Sequence, residues 1–155
     1  MGNIKLFQDN KIRSAWNDEE EQWYFSVVDV VEALTDSVNP TDYLKKIRKR
    51  DKSLATYLGT NCPQVEMLTE SGKKRKILAA NVKSLFRIIQ SIPSPKAEPF
   101  KQWLSQVGYD RMLEIENPEL AQERMKLLYE QKGYPKDWID KRLRGIAIRQ
   151  NLTDE

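Results

Sequence analysis

The spacing of apolar and polar residues predicts strands, turns and short helices in the first half of the chain and helices alone in the second. Residues 12–16 and 23–25 are β-leaning stretches separated by Asn17-Asp18-Glu19-Glu20-Glu21, a polar run suited to an exposed hairpin loop. The second stretch enters Ser26-Val27-Val28-Asp29, a Ser-x-x-Asp capping box with Ser26 as N-cap and Asp29 at N3. A helix over 27–34 follows, with Val27, Val30, Val31 and Leu34 on one stripe. After a break at 36–39, Pro40 fits the first turn of a helix over 40–50, capped by Asn39 and carrying Tyr43, Leu44 and Ile47 on its apolar face. Asp51 caps a shorter helix through Leu58 that Gly59 ends. Residues 64–68 and 75–79 form a second hairpin around Glu70-Ser71-Gly72-Lys73-Lys74, and Asn81 caps a helix with Val82, Leu85, Phe86 and Ile89 at core spacing. Two closely spaced prolines interrupt it at 91–95.

Beyond Pro95 every segment has helical spacing. One helix near 97–107 presents Phe100, Trp103, Leu104 and Val107, and another covers 109–116. Asn117-Pro118 starts a third with Leu120, Ala121, Met125, Leu128 and Tyr129 in a stripe, ended by Gly133. Pro135 opens a last helix through Arg149, anchored by Trp138, Ile139, Leu143 and Ile146. Leu152-Thr153-Asp154-Glu155 then reads as an N-cap and first-turn acids with no helix after them, which makes the chain an expected N-terminal fragment. The fold class is α+β: two β-hairpins with short helices in the N-terminal half and a helical C-terminal half. Residues 1–108 are expected to form one domain, with 109–155 a helical extension packed on it and truncated before a further region.

Composition narrows the function classes. About 39% of the residues are apolar, enough for a core, yet no run of 18 apolar residues exists to span a membrane. The start lacks a signal segment, and Leu6 stands where a myristoylation motif needs Ser or Thr. A cytoplasmic location is expected. Cys62 is the only cysteine and there is no histidine, so intramolecular disulfides, Cys-rich and His-bearing zinc sites and His-dependent nucleophile systems are all excluded. Carboxylate or lysine chemistry, with Mg²⁺ on oxygen ligands, is what stays open to an enzyme. The expectation is no enzyme, no metal and no organic cofactor.

Charge is distributed unevenly. Residues 1–40 carry three basic and eight acidic groups, 41–87 carry twelve and four, and 88–155 carry eleven of each. The middle segment therefore creates a field that attracts polyanions. Within it, Lys45, Lys46, Arg48, Lys49, Arg50 and Lys52 stand away from the apolar face of their helix, at positions suited to phosphate contacts. Lys73, Lys74, Arg75 and Lys76 crowd the second hairpin, where they repel one another unless an anion screens them. The plainer alternatives are a solvated helix face and a solubilising turn. Lys141, Arg142, Arg144 and Arg149 on the last helix superficially suggest helix-turn-helix recognition, but Asp137 and Asp140 offset them and packing is the better account. Glu19-Glu20-Glu21 reads as a solvated turn, Asp29 as a cap and Cys62 as a small packing residue.

Several stretches together resemble a known family. Trp23-Tyr24-Phe25-Ser26-Val27-Val28-Asp29-Val30-Val31-Glu32-Ala33-Leu34 resembles the opening of the Bro-N domain, where an aromatic strand enters a short helix with an Asp-Val pair. Asn39-Pro40 before a basic helix fits, as does Ala97-Glu98-Pro99-Phe100-Lys101-Gln102-Trp103-Leu104. Glu116-Asn117-Pro118-Glu119, Lys132-Gly133-Tyr134 and Trp138-Ile139 look like the helical extension of a bacterial subgroup that includes DNA-damage-inducible protein D. The resemblance covers roughly 10–153 and implies an α+β domain of prophage antirepressors and baculovirus repeated-ORF proteins, which bind DNA or act on DNA-bound regulators. In one departure, Glu70-Ser71-Gly72 is followed by Lys73-Lys74-Arg75-Lys76-Ile77-Leu78-Ala79, as if an extra strand precedes the next helix.

The expected function is accordingly duplex-DNA binding through the basic helix and basic hairpin, without a chemical step, in a prophage antirepressor-like regulator. One rival is a protein-interaction module that grips a repressor or recombination protein. A Mg²⁺-dependent nuclease built on Glu66 and Glu70 is the weaker rival, since Glu70-x-x-Lys73 misses the expected Glu-x-Lys spacing.

Overall fold

The computed structural model describes residues 11–69 and 71–154, with 147–154 as backbone only. Strand β1 (Ser14–Asn17) and strand β2 (Gln22–Ser26) form the first hairpin. Helices α1 (Val27–Thr35), α2 (Pro40–Arg50) and α3 (Lys52–Asn61) separate it from the second, made by β3 (Gln64–Leu68) and β4 (Lys74–Ala80). Helix α4 (Val82–Ser91) and a 3₁₀ turn (Pro95–Ala97) lead into α5 (Glu98–Glu116), α6 (Glu119–Gln131) and α7 (Lys136–Asp154). The class is α+β, with both expected hairpins present. A first compact unit ends at Leu104 and a second begins at Ser105, inside α5.

All strand pairs are antiparallel, in the order β1-β2-β4-β3. Among the described residues the two hairpins pair as strands through Phe25 opposite Ala80 and Ser26 opposite Ala79. From that seam the antiparallel register carries the Asp18–Glu21 tip and the Lys73–Lys76 tip away from each other. Side chains alternate between faces. Phe25, Leu78 and Ala80 face the main core, formed with Val27, Val30, Val31 and Leu34 of α1, Leu44 and Ile47 of α2, Leu54 and Leu58 of α3 and Leu85, Ile88 and Ile89 of α4. Tyr24, Met67 and Ala79 bury a smaller core on the opposite face, with Ala15, Val65 and Ile77 against it. Ala15 on one edge strand and Met67 on the other share that core, so the sheet curls around it.

The caps follow the sequence. Ser26, Asn39, Asp51 and Asn81 each accept a hydrogen bond from a backbone N–H in the first turn of their helix. Three helix boundaries differ from expectation. Gly59 lies inside α3, which ends at Asn61 because Pro63 disfavours helical geometry at the residue before it. Gly108 does not divide α5, because a helical glycine costs only about 1 kcal/mol relative to alanine. Helix α7 runs on to Asp154 rather than stopping at Arg149, so Leu152-Thr153-Asp154 continue the helix instead of capping a new one. Glu155 lies outside the described residues.

In the second unit, Ile139 is buried and Trp138 stacks on Tyr134 with centroids 4.5 Å apart, both rings meeting Tyr129 edge-on. Gly133 takes φ of 85°, the left-handed geometry that terminates α6.

Candidate nucleic-acid interface

Helix α2 buries Leu44 and Ile47 and exposes Lys45, Lys46, Arg48, Lys49 and Arg50. At about 100° per residue, Lys45, Lys46 and Lys49 point away from the core while Arg48 and Arg50 flank it. Like charges three and four apart disfavour the helix by about 0.2–0.5 kcal/mol per pair. Two features offset this. Lys46 Nζ lies 3.1 Å from Asp42 Oδ2, and Arg48, Lys49 and Arg50 occupy the last turn, where the helix dipole favours cations. Lys52 is exposed in the first turn of α3, whose cap Asp51 is held below the ordinary carboxylate pKa by the Leu54 N–H and by Ser91.

The second hairpin turns at Gly72, with φ of 82°, closed by Thr69 N donating to Lys73 O over 2.7 Å and Gly72 N to Thr69 O over 2.9 Å. Glu70 lies outside the described residues. Lys73, Lys74, Arg75 and Lys76 are all exposed. Lys74 and Lys76 stand opposite Leu68 and Glu66 on one face of the ribbon, and Arg75 opposite Met67 on the other. Residues 74–78 pair with β3 but not with β2, so they form a two-stranded arm about 17 Å long.

Arg13 braces the turn end of this arm, where Leu68 stands opposite Lys74, and nothing local in the sequence signals it. Its Nη1 donates to Leu68 O over 3.1 Å, while Nε and Nη2 grip Asp29 Oδ2 and Oδ1 at 2.8 and 3.0 Å. Asp29 therefore completes only half of the expected capping box. Its N–H donates to Ser26 Oγ over 3.3 Å, but its carboxylate serves Arg13. A cleft of about 1100 Å³ opens between the hairpin turn and the Asp29, Glu32 and Asp36 side of α1. Asp36 there is paired with Lys96, so the cleft walls mix both signs of charge.

Of the ten predicted cations, only Lys46 has a carboxylate partner among the described residues. The structure keeps the ten in two groups. Helix α2 packs on α1 and α3, the arm's strand β4 packs on α1, α4 and β2, and α1 is their common neighbour. Glu66 faces Lys76, and no group of three potential metal-ligating side chains occurs among the described residues. On α7, Lys141, Arg142 and Arg144 are exposed, and the side chain of Arg149 lies outside the described residues. Cys62 is buried, which pushes its thiol pKa up. No described helix is long and apolar enough to cross a membrane.

The model of the BRO family's N-terminal domain, Bro-N, matches residues 11–108, well over half of the chain. This chain belongs to the BRO family. Its Bro-N match takes in both hairpins, the basic helix and the start of α5. No curated protein and no solved structure matches the chain.

Proposed function

We propose that this Bro-N domain binds duplex DNA, as part of an antirepressor-type regulator with no chemical step. The observation that carries this reading is the set of exposed cations on α2 and the β3–β4 arm that lack carboxylate partners among the described residues. Unpaired cations held close together store repulsion that a phosphate backbone relieves, with release of condensed counterions. The alternation of Lys74 and Lys76 with Arg75 favours a ribbon that enters a groove and meets a backbone on each side. Membership of the BRO family is consistent with the reading. Residues 109–155 are read as a helical extension, and the order of Asn117-Pro118, Gly133-Tyr134 and Trp138-Ile139 supports placement in the DNA-damage-inducible subgroup.

The test is duplex binding by fluorescence anisotropy across a salt series. Each phosphate contact contributes about 0.9 to the slope of log affinity against log salt. Changing Lys73, Lys74 and Lys76 together to Glu is expected to weaken binding and to make the slope shallower by about 2–3. The same triple change at Lys141, Arg142 and Arg144 is expected to alter affinity much less. Equal losses from both triples would mean diffuse attraction, and equal affinity for polyglutamate would favour an acidic protein as the ligand.

A further inference from the structure

At the end of the sheet away from the basic arm, Trp16 and Trp23 stand opposite each other on β1 and β2. Their rings meet edge to face at 5.4 Å, and they are 48% and 39% exposed. By strand alternation they share the face of Phe25, which the helices cover, but lie beyond that cover. A cross-strand aromatic pair stabilises a hairpin without needing this much exposure. From Ser14 to Ser26 the chain contains no lysine or arginine, whereas Asp18, Glu19, Glu20 and Glu21 lie in the turn between the strands. Among the described residues none of these carboxylates has an ion-pair partner and neither indole face carries a cation. Asp18 accepts from Trp16 Nε1 at 2.7 Å, which ties the acidic turn to the aromatic face, and Glu20 accepts from the Tyr24 hydroxyl.

Indole faces attract guanidinium and ammonium groups through the ring quadrupole, and carboxylates attract them by charge. The same features repel a phosphate backbone. We propose that the Trp16–Trp23 face of the β1–β2 hairpin docks an arginine-bearing segment of a partner protein. An apolar partner would leave the carboxylates desolvated without compensation, and an acidic one would be repelled. Arginine fits better than lysine, because its planar, weakly hydrated guanidinium stacks on a ring while still donating to a carboxylate. The hairpin thus holds a protein at one end of the sheet, independently of whatever the basic arm binds at the other.

The probe is a short Gly-Ser peptide carrying several arginines, titrated against the full chain and followed by tryptophan fluorescence and calorimetry. Lysine and glutamate versions of the peptide serve as comparisons. The arginine peptide is expected to bind more tightly than the lysine peptide, and the glutamate peptide not at all. Trp16→Thr with Trp23→Thr is expected to weaken arginine-peptide binding at least about ten-fold, equivalent to ~1.4 kcal/mol. Glu19→Gln with Glu21→Gln should weaken it about three-fold. Duplex binding by both variants should stay within about two-fold of the parent. Should the Thr pair unfold the hairpin by circular dichroism, Trp16→Phe with Trp23→Phe keeps the strands, and an intermediate loss is expected. Binding that survives loss of both indoles, or extends to the glutamate peptide, overturns the proposal. Self-association of the parent that the Trp variants abolish also overturns it, in favour of a second copy of this chain.

Discussion

The guanidinium of Arg13 and the carboxylate of Asp29 meet as a two-toothed fork at 2.8 and 3.0 Å, across sixteen residues of sequence. The Arg13 N–H adds a third bond to the same carboxylate, at 2.9 Å. The lead-in to β1, the start of α1 and the turn end of the basic arm are thereby tied at one point. Asp29 is only 12% exposed, so removing its partner strands a poorly hydrated charge. Arg13→Ala is expected to lower unfolding free energy by about 2 kcal/mol in urea denaturation. A loss under about 0.5 kcal/mol would place the pair with ordinary surface ion pairs.

Asp51 gives the stability a defined acid limb. Its folded pKa lies below the ordinary 3.8, chiefly because the Leu54 N–H donates to the ionised form. A lowered folded pKa contributes stability fully present above the unfolded value and lost as pH falls through the folded one. That window opens below about pH 4. Asp51→Asn, which caps without titrating, should leave neutral-pH stability near that of the parent and flatten the acid loss. Asp51→Ala should lower the melting temperature at neutral pH, with the gap to the parent narrowing in acid. An unchanged acid limb in the Asn variant would assign it to other carboxylates.

In the second unit, Glu114 is 4% exposed and its Oε1 lies 2.6 Å from Arg124 Nε. Its Oε2 has no hydrogen-bond donor among the described residues, and Arg111 Nη1 stands 3.8 Å away. Arg124→Ala is expected to destabilise by about 3 kcal/mol, since a buried carboxylate loses its close partner. Replacing both Glu114 and Arg124 by Leu should recover most of that loss. If the double variant is no better than Arg124→Ala, hydration of Glu114 is not the cost.

On α2, the face opposite the core tests whether helix and arm act together. Lys45→Ala with Lys49→Ala should weaken duplex binding and reduce the salt slope by about 1.8, for two phosphate contacts. Combined with the arm triple, the slope changes should add. Helicity should not fall, because the like-charge pairs Lys45–Arg48, Lys45–Lys49 and Lys46–Lys49 are relieved. An undiminished slope would remove α2 from the interface.

Local chemistry made much of the fold legible. Ser26, Asn39, Asp51 and Asn81 announced four helix starts, and Gly72 between β-leaning runs announced the second hairpin. The glycines at 59 and 108 misled, because a helix ends where its carbonyls find other partners, not wherever propensity dips. The cations of the candidate interface were legible as charge, and their exposure follows from Leu44 and Ile47 facing inward. The Arg13–Asp29 fork, the Trp16–Trp23 pair and the Glu114–Arg124 bond were not. Each depends on a register or a helix crossing that no local spacing encodes.

The seam between the hairpins has a temporal consequence. Phe25 meets Ala80 only after the chain between them has closed a loop containing three helices. Loop closure is an entropic cost met before the pairing returns anything, and compacting α1–α3 shortens the effective loop. Strands β1 and β2, which precede these helices in the chain, are thus expected to wait, as a marginal lone hairpin, for the helices made after them. Folding kinetics should show low φ-values at Ala79 and Ala80 beside higher ones at Val30 and Leu34. The reverse order would mean that the strands nucleate the domain and the helices condense upon them.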